Sequence, residues 1–214
     1  MFKKKPFFVV FEGIEGSGKS YQSNRLYKKL KQKKFPVILT REPGGTKTAE
    51  KIRNVILDDY FHKDSDKQFD KNTDTLLYLA ARNEHLINRI LPAIKKNKIV
   101  ICDRFIDSTF AYQIYGKSVS KDLVDGIHKH ILGNIKPNLT ILLTVKISKA
   151  LSRLKKRKKK NRYDKFSKNF YIKAQNAFVK ISKKNKKKYL VLDSSNDDKK
   201  IEQKILEVIL NRIK

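Results

Sequence analysis

Apolar and polar positions along the chain fall into blocks of two kinds. Short runs rich in Val, Ile, Leu and Phe are typical of strands buried on both faces of a sheet. They occur at residues 7–11, 37–39, 99–102, 139–145 and 189–192. Longer segments between them repeat apolar residues at helical spacing, for example at Leu26 and Leu30. Strands that alternate with helices predict an α/β fold with a parallel sheet flanked by helices.

Two stretches fit this alternation poorly, namely the polar residues 58–74 and the strongly basic residues 155–165. We expect both to be mobile surface segments. The last segment returns to the amphipathic period through Ile201, Ile205 and Ile209, which predicts a closing helix. No internal repeat and no linker divides the chain, so residues 1–214 are expected to form one domain.

Charge and composition restrict the class of protein only weakly. The formal net charge of +30 would attract any polyanion. Lysine is spread over nearly every predicted helix, so we expect no dedicated nucleic-acid partner. The apolar runs are too short to cross a bilayer, which predicts a cytoplasmic protein without a membrane partner. Cys102 lies in an apolar run and is expected to be a buried structural thiol.

The segment after the first predicted strand carries a specific motif. Residues 13–20 read GIEGSGKS and satisfy the phosphate-loop pattern G-x-x-x-x-G-K-[ST]. Glycines allow a tight turn whose N–H groups point at phosphate oxygens, and the following helix adds its positive dipole end. The sequence therefore predicts an ATP site formed by Gly13, Ile14, Glu15, Gly16, Ser17, Gly18, Lys19 and Ser20.

Charged residues also follow the second and third predicted strands. Ligands of open α/β sheets bind beyond the carboxyl ends of strands, so Lys19, Arg41, Asp103 and Arg104 should share one crevice. Asp103 together with the Ser20 hydroxyl suits Mg²⁺, which prefers oxygen ligands. Asp103 could also cap a following helix. His62, His85, His128 and His130 are not spaced like a zinc site and are given no ligand role.

Four motifs in this order, GIEGSGKS, TREPGGT, LLYLAAR and DRFIDSTFAYQ, resemble thymidylate kinase, particularly its bacterial form. The resemblance covers nearly the whole chain. It implies a P-loop fold with a five-stranded parallel sheet and a basic lid. It further implies magnesium-dependent transfer of a phosphoryl group from ATP to dTMP, usually by a homodimer.

The resemblance also implies roles for acceptor-side residues. Tyr78 would stack on thymine, where an aromatic ring is usual, and Arg82 would reach the base. Glu15 would lie near the sugar, while Arg53 and Arg104 would lie near the monophosphate. The implied substrate-binding set is Glu15, Arg41, Pro43, Arg53, Tyr78, Arg82, Arg104, Ser108, Thr109, Tyr112 and Gln113. Taken without the family, Tyr78 and Ala81 fit a helix core, and Arg53 and Arg82 fit surface ion pairs.

The basic segment aligns with the family's lid, at about residues 153–165, which supplies the arginine that this P-loop lacks. The candidate lid arginines are Arg153, Arg157 and Arg162, of which Arg162 matches best. Together with Lys19 and Arg104 they form the predicted catalytic set, because phosphoryl transfer depends on positioning and electrostatics.

Two rival functions remain compatible with parts of the sequence. A kinase for another nucleoside monophosphate would share the phosphate loop, but TREPGG and DRFIDSTFAYQ argue against it. A basic P-loop ATPase that binds nucleic acid would explain the charge. The short chain shows no separate recognition module for it.

Overall fold

The five apolar runs form one parallel five-stranded sheet in the computed structural model, which describes residues 5–58, 69–157, 166–196 and 198–213. The strands are β1 (Phe7–Glu12), β2 (Val37–Arg41), β3 (Ile99–Asp103), β4 (Leu139–Thr144) and β5 (Tyr189–Asp193). This confirms the predicted fold class. The observed strands differ from the predicted runs by one or two residues, and four of them extend to a polar residue at the carboxyl end.

Helices connect the strands and cover both faces of the sheet. The helices that the structure describes are α1 (Lys19–Gln32), α2 (Lys47–Asp58), α3 (Lys71–His85), α4 (Leu91–Lys95), α5 (Ile106–Thr109), α6 (Tyr115–Lys117), α7 (Lys121–Leu132), α8 (Ile147–Lys155), α9 (Lys168–Lys183) and α10 (Asp198–Ile213). Two π-helical turns, Leu86–Ile90 and Phe110–Ile114, continue α3 into α4 and α5 into α6. Such turns often accompany functional sites.

The strand order β2-β3-β1-β4-β5 places β1 at the centre and β2 and β5 at the edges. β1 is buried along its whole length, as expected for a strand covered on both faces. The edge strands β2 and β5 are mostly half-buried, so the prediction of burial on both faces is wrong for them. Cys102 is fully buried in β3 as predicted, and burial raises the pKa of its thiol well above the ordinary range.

The end of one predicted surface segment is the start of helix α3, which is exposed up to residue 73 and buried at Asp74. Asp70 accepts a hydrogen bond from the Asn72 amide and caps α3, and Asp74 is fully buried and pairs with Lys117 at 2.7 Å. A buried, paired aspartate cannot be recognised from hydropathy. Residues 59–68 and the basic residues 158–165 lie outside the described residues.

Parallel register brings the functional strand ends together. Arg41 lies opposite Asp103 in the β2–β3 pair, and Phe11 lies opposite Asp103 in the β1–β3 pair. The Arg104 amide donates to the Phe11 carbonyl at 2.9 Å, and the Glu42 amide donates to the Asp103 carbonyl at 2.9 Å. The carboxyl edge of the sheet is therefore continuous at the site. None of the described helices has both the length and the hydropathy that a membrane span requires.

Candidate active site

The phosphate loop joins β1 to α1 and is shaped by close packing. Gly13 has φ 137°, and a Cβ atom there would lie 2.3 Å from the Leu143 carbonyl oxygen. Gly16 has φ 73°, and its Cβ would lie 2.7 Å from the Ala150 carbonyl oxygen. Only glycine satisfies both the backbone conformation and the space. The loop thus rests against β4 and α8 and forms the start of α1.

Lys19 is buried within this loop. Its Nζ donates to the Ile14 carbonyl at 2.7 Å, so the side chain folds back over the loop. Burial lowers the pKa of Lys19 to about 8, and nearby Arg104 acts in the same direction. A phosphate group would supply the negative charge that restores the ammonium form. The residue is thus suited to a bound polyphosphate.

Asp103 lies at the end of β3 against the start of α1. The Ser20 hydroxyl donates to Asp103 Oδ2, whereas Asp103 Oδ1 is buried and has no hydrogen-bond partner within the described chain. A buried carboxylate oxygen without a partner beside a hydroxyl fits a hard cation such as Mg²⁺. Asp103 is not a helix cap, because α5 begins only at Ile106 and Phe105 precedes it without a side-chain cap. Across the described residues no cluster of three His, Cys, Asp or Glu side chains could hold a metal.

Arg104 takes a backbone conformation that is rare for its type, with φ 74°. Its guanidinium donates to Glu15 Oε1 at 2.5 Å, to the Gly13 carbonyl at 3.1 Å and to Ser108 Oγ at 3.1 Å. It also lies over the Tyr112 ring at 5.2 Å. Although burial alone would lower the pKa of Arg104, Glu15 and its other neighbours hold it well above the ordinary value. The residue is a fixed cation.

A cavity of about 350 Å³ opens between the phosphate loop and these arginines. Its lining includes most of the residues predicted for phosphate contact, namely Glu15, Gly16, Gly18, Lys19, Ser20, Arg41, Pro43, Arg53, Asp103, Arg104, Arg153 and Arg157. Arg53 is oriented by the Pro43 carbonyl at 2.8 Å, and Arg41 is oriented by Glu50 at 3.0 Å. Arg53 also pairs with Glu50 at 4.0 Å, so both arginines form ion pairs and at the same time line this cavity.

A second pocket adjoins the cavity beyond Arg104. It is lined by Glu42, Pro43, Tyr78, Arg82, Arg104, Phe105, Ser108, Thr109, Tyr112 and Gln113. The structure therefore brings together the predicted acceptor residues. Tyr78 lines the pocket although only 8% of its surface is exposed, and Ala81, the other candidate for the helix core, is fully buried. Glu15 lies just outside and accepts hydrogen bonds from Arg104 and from the Tyr112 hydroxyl.

Arg82 is the centre of a buried hydrogen-bond network. It donates from Nε to Glu42 at 2.7 Å, from Nη1 to Thr109 at 2.8 Å and to His128 at 2.7 Å, and from Nη2 to the Phe105 carbonyl at 2.9 Å. These four contacts leave one of the five guanidinium donors for a ligand. An arginine cannot accept, so His128 Nε2 accepts and the ring is neutral. Burial, with Arg82 beside it, lowers the pKa of His128 to about 4.

Glu42 completes the network and was not among the predicted site residues. Burial would raise its pKa, but Arg82 and His85 outweigh this and lower it. His85 contacts Glu42 Oε1 at 3.0 Å and the Thr40 hydroxyl at 2.6 Å. Glu42 and Phe105 lie within the motifs TREPGGT and DRFIDSTFAYQ, so those motifs could have indicated them. Nothing in the local sequence marks His85 or His128.

The candidate lid arginines differ in what the structure shows. Arg153 on α8 donates to the Gly16 carbonyl and to the Ser194 carbonyl, both at 3.0 Å, and so supports the phosphate loop. Arg157 follows α8 and lines the large cavity. Arg162 lies outside the described residues.

The family model, the sequence relatives and the solved structure that match this chain are all described as thymidylate kinases. The family described as thymidylate kinase matches residues 11–205. A thymidylate kinase of Wolbachia pipientis subsp. Culex pipiens is 42% identical over 212 residues, covering 97% of each chain. One from Mycoplasma capricolum subsp. capricolum is 38% identical over 209 residues, covering 97% of this chain and 96% of the relative. The crystal structure of thymidylate kinase from Ehrlichia chaffeensis superposes with a TM-score of 0.76 at 30% identity, covering 96% and 99% of the two chains.

Proposed function

The chain belongs to the thymidylate kinase family, and we propose that it transfers a phosphoryl group from ATP to dTMP, giving ADP and dTDP. The observation that carries this proposal is the pairing of two sites. The glycine-lined phosphate loop and a pocket lined by Tyr78 and Arg82 open onto the same cavity, with Arg104 on both. One cavity can therefore hold a donor triphosphate and an acceptor monophosphate.

The proposed mechanism uses position and charge. Phosphate-loop amides and Lys19 would hold the donor phosphates, while Arg41, Arg53 and Arg104 would hold the acceptor phosphate. An oxygen of that phosphate would attack the terminal phosphorus of ATP in line. Neither a protein nucleophile nor a general base is needed, because the acceptor oxygen is already ionised. Fixed cations stabilise the charge that spreads over the transferring oxygens.

The cofactor is proposed to be Mg²⁺, with Ser20 and Asp103 as its protein-side ligands. The partnerless Oδ1 of Asp103 supports this assignment. When bound, the ion would neutralise part of the phosphate charge, and most of its ligands would be water and phosphate oxygens.

Base recognition would follow from the Arg82 network. We propose that the Tyr78 ring stacks on the pyrimidine and that the remaining Arg82 donor reaches a base carbonyl. Thr109 and Gln113 lie within the same pocket and would contact the base edge, while Pro43, Ser108 and Tyr112 complete its wall.

A coupled assay of ADP release tests the function directly. Purified protein should release ADP rapidly with dTMP and slowly with dUMP, dCMP or dGMP. The base assignment is wrong if another monophosphate is turned over faster. Release of ADP without any acceptor, stimulated by RNA or DNA, would instead favour the ATPase alternative.

The lid arginine is proposed to be Arg162, acting on the transferring phosphoryl group. Arg162→Ala should lower kcat more than it weakens dTMP binding, by ~10³-fold if it resembles other arginines in phosphoryl transfer. Unchanged turnover in that variant would move the role to Arg157, since Arg153 already supports the phosphate loop. Arg157→Ala is the matched comparison.

We further propose one domain over residues 1–214 acting as a cytoplasmic homodimer. Exposed Val55 on α2 and Leu76 on α3, two helices that pack on each other, offer an apolar surface for a second copy. Sedimentation should give twice the monomer mass for the native protein. Leu76→Asp should shift the mass toward the monomer if this surface is used.

A further inference from the structure

Glu12 is a buried carboxylate that joins the two halves of the site. It is the last residue of β1, directly before the phosphate loop, and only 1% of its surface is exposed. One oxygen accepts from the Phe105 amide at 2.8 Å and the Ser108 amide at 3.3 Å. The other accepts from the Ser108 hydroxyl at 2.6 Å. Glu12 therefore holds the turn that follows Arg104 along the chain.

Ser108 relays this contact to Arg104. Because its hydroxyl proton points to Glu12, the lone pairs on its oxygen are free to accept from Arg104 Nη1 at 3.1 Å. Arg104 itself has φ 74°, a conformation that a non-glycine residue keeps only where its surroundings hold it. Ser108 therefore connects the Glu12 carboxyl group, through its own amide and hydroxyl, to the Arg104 guanidinium.

We propose that Glu12 is a positioning residue that fixes the Arg104 guanidinium at the site of the acceptor phosphate. The inference rests on the proposed function, in which Arg104 holds the 5′-phosphate of dTMP. Glu12 does not touch substrate in this scheme, since Phe105 and Ser108 lie between them. Its effect passes through Ser108 and the conformation of the turn.

Core stability alone does not require a carboxylate here. Burial, together with the charge of Asp107, raises the pKa of Glu12 to about 7. Arg104 and the Ser108 and Phe105 hydrogen bonds oppose that rise. A glutamine of the same shape would avoid the cost of burying a charge, so Glu12→Gln should fold. Its amide group would, however, donate to Ser108 Oγ and compete with Arg104 for that oxygen.

The test compares dTMP with thymidine, which lacks the phosphate. Calorimetry on Glu12→Gln should show dTMP affinity reduced about tenfold, the scale of one hydrogen bond to a charged group. Thymidine affinity should change less than about twofold, because Tyr78 and Arg82, which are proposed to contact the base, are unchanged. Ser108→Ala should reproduce the selective loss, and it provides a second measurement if Glu12→Gln does not fold. Equal losses for both ligands, or no loss for dTMP, would overturn the proposal.

Two further measurements separate positioning from a general structural role. In an Arg104→Met background, Glu12→Gln should cost dTMP affinity little more, since the group being positioned is gone. An undiminished loss in that background would overturn the proposal. Glu202→Gln is the matched control, because Glu202 is also a buried carboxylate but pairs with Arg25 at 2.9 Å and Lys29 at 3.1 Å, and it is not among the residues that line either pocket. It should leave the dTMP-to-thymidine ratio unchanged.

Failure of the proposed function has a different signature. If the wild-type protein neither binds dTMP more tightly than thymidine nor phosphorylates dTMP, both the proposed function and this inference are wrong. If the wild-type protein prefers dTMP to thymidine and phosphorylates it, and the Glu12→Gln variant does so equally well, the proposed function stands and only this inference is wrong.

Discussion

The phosphate loop and the base pocket meet at Arg104 but are built in opposite ways. The loop is eight consecutive residues, 13–20, whose shape depends on glycine backbones packed on β4 and α8. The base pocket takes residues from the segment after β2, from α3 and from the chain between β3 and the π-helical turn Phe110–Ile114. It depends on side chains that satisfy one another around Arg82. A local backbone site can lose one side chain and stay folded. A buried side-chain network cannot lose its centre without a cost in stability.

Replacement of Lys19 should give the largest loss of activity and leave the base pocket intact. Lys19→Met should lower kcat by about 10³-fold, because a fixed cation at the transferring phosphates is removed. The free energy of unfolding should change little, since the methionine removes a charge that is already disfavoured by burial. Steady-state kinetics and thermal unfolding measure the two quantities.

The control for that separation is dTMP binding measured by calorimetry. Lys19→Met should bind dTMP within about twofold of wild type if the regions are independent. A large loss of dTMP affinity in this variant would show that the two regions are coupled more tightly than their construction implies.

Replacement of Arg82 should affect binding and stability together. Arg82→Met leaves Glu42, Thr109 and His128 without their common donor in a buried site. We expect dTMP affinity to fall by about 100-fold and the free energy of unfolding to fall by about 3 kcal/mol, the scale for breaking a buried pair. Denaturant titration and calorimetry provide the two values.

Glu42→Gln in the Arg82→Met background isolates the stability part of that loss. It keeps the shape but removes a buried charge that has lost its arginine partner and still contacts His85, so it should recover part of the unfolding free energy without restoring dTMP binding. If Glu42→Gln does not change the stability of the Arg82→Met variant, the charge of Glu42 is not a source of instability in that variant.

The same contrast explains what could be predicted from the sequence. Hydrophobic runs located all five strands, and the G-x-x-x-x-G-K-[ST] pattern located the phosphate loop, because both depend on local sequence. Tyr78, Arg82, Thr109 and Gln113 came from family resemblance. The hydrogen bonds of Arg82 join residues 23 to 46 positions apart along the chain, from Phe105 to His128.

Buried acidic side chains were the main features that the sequence did not reveal. Glu12 and Glu42 are polar in sequence but almost fully enclosed, and hydropathy assigns such residues to the surface. Asp74 was placed in a surface segment for the same reason. Each is held by a partner distant in sequence, namely Ser108, Arg82 and Lys117, so only the folded chain reveals the compensation.

Replacement of Tyr78 should have a moderate effect confined to the base pocket. Tyr78→Leu keeps most of the apolar volume but removes the ring, so dTMP affinity should fall by about five- to tenfold, the scale of one aromatic stacking contact. Tyr78→Phe should bind dTMP normally. ATP affinity should be unchanged in both variants. A Tyr78→Leu variant with normal dTMP affinity would assign Tyr78 to the helix core alone.

The smallest expected effect is a pH dependence of ATP affinity, which arises at Lys19 in the phosphate loop. Because the pKa of Lys19 is lowered to about 8, the free protein loses this charge as the pH rises through that value. Bound phosphates would raise the pKa again, so ATP binding above pH 8 must take up a proton. ATP affinity should therefore weaken by about fourfold between pH 7 and pH 8.5. Calorimetry in buffers of different ionisation enthalpy detects the proton directly, and Lys19→Arg should abolish both the uptake and the pH dependence. A wild-type affinity for ATP that is flat over this range would mean that Lys19 keeps its charge without a ligand.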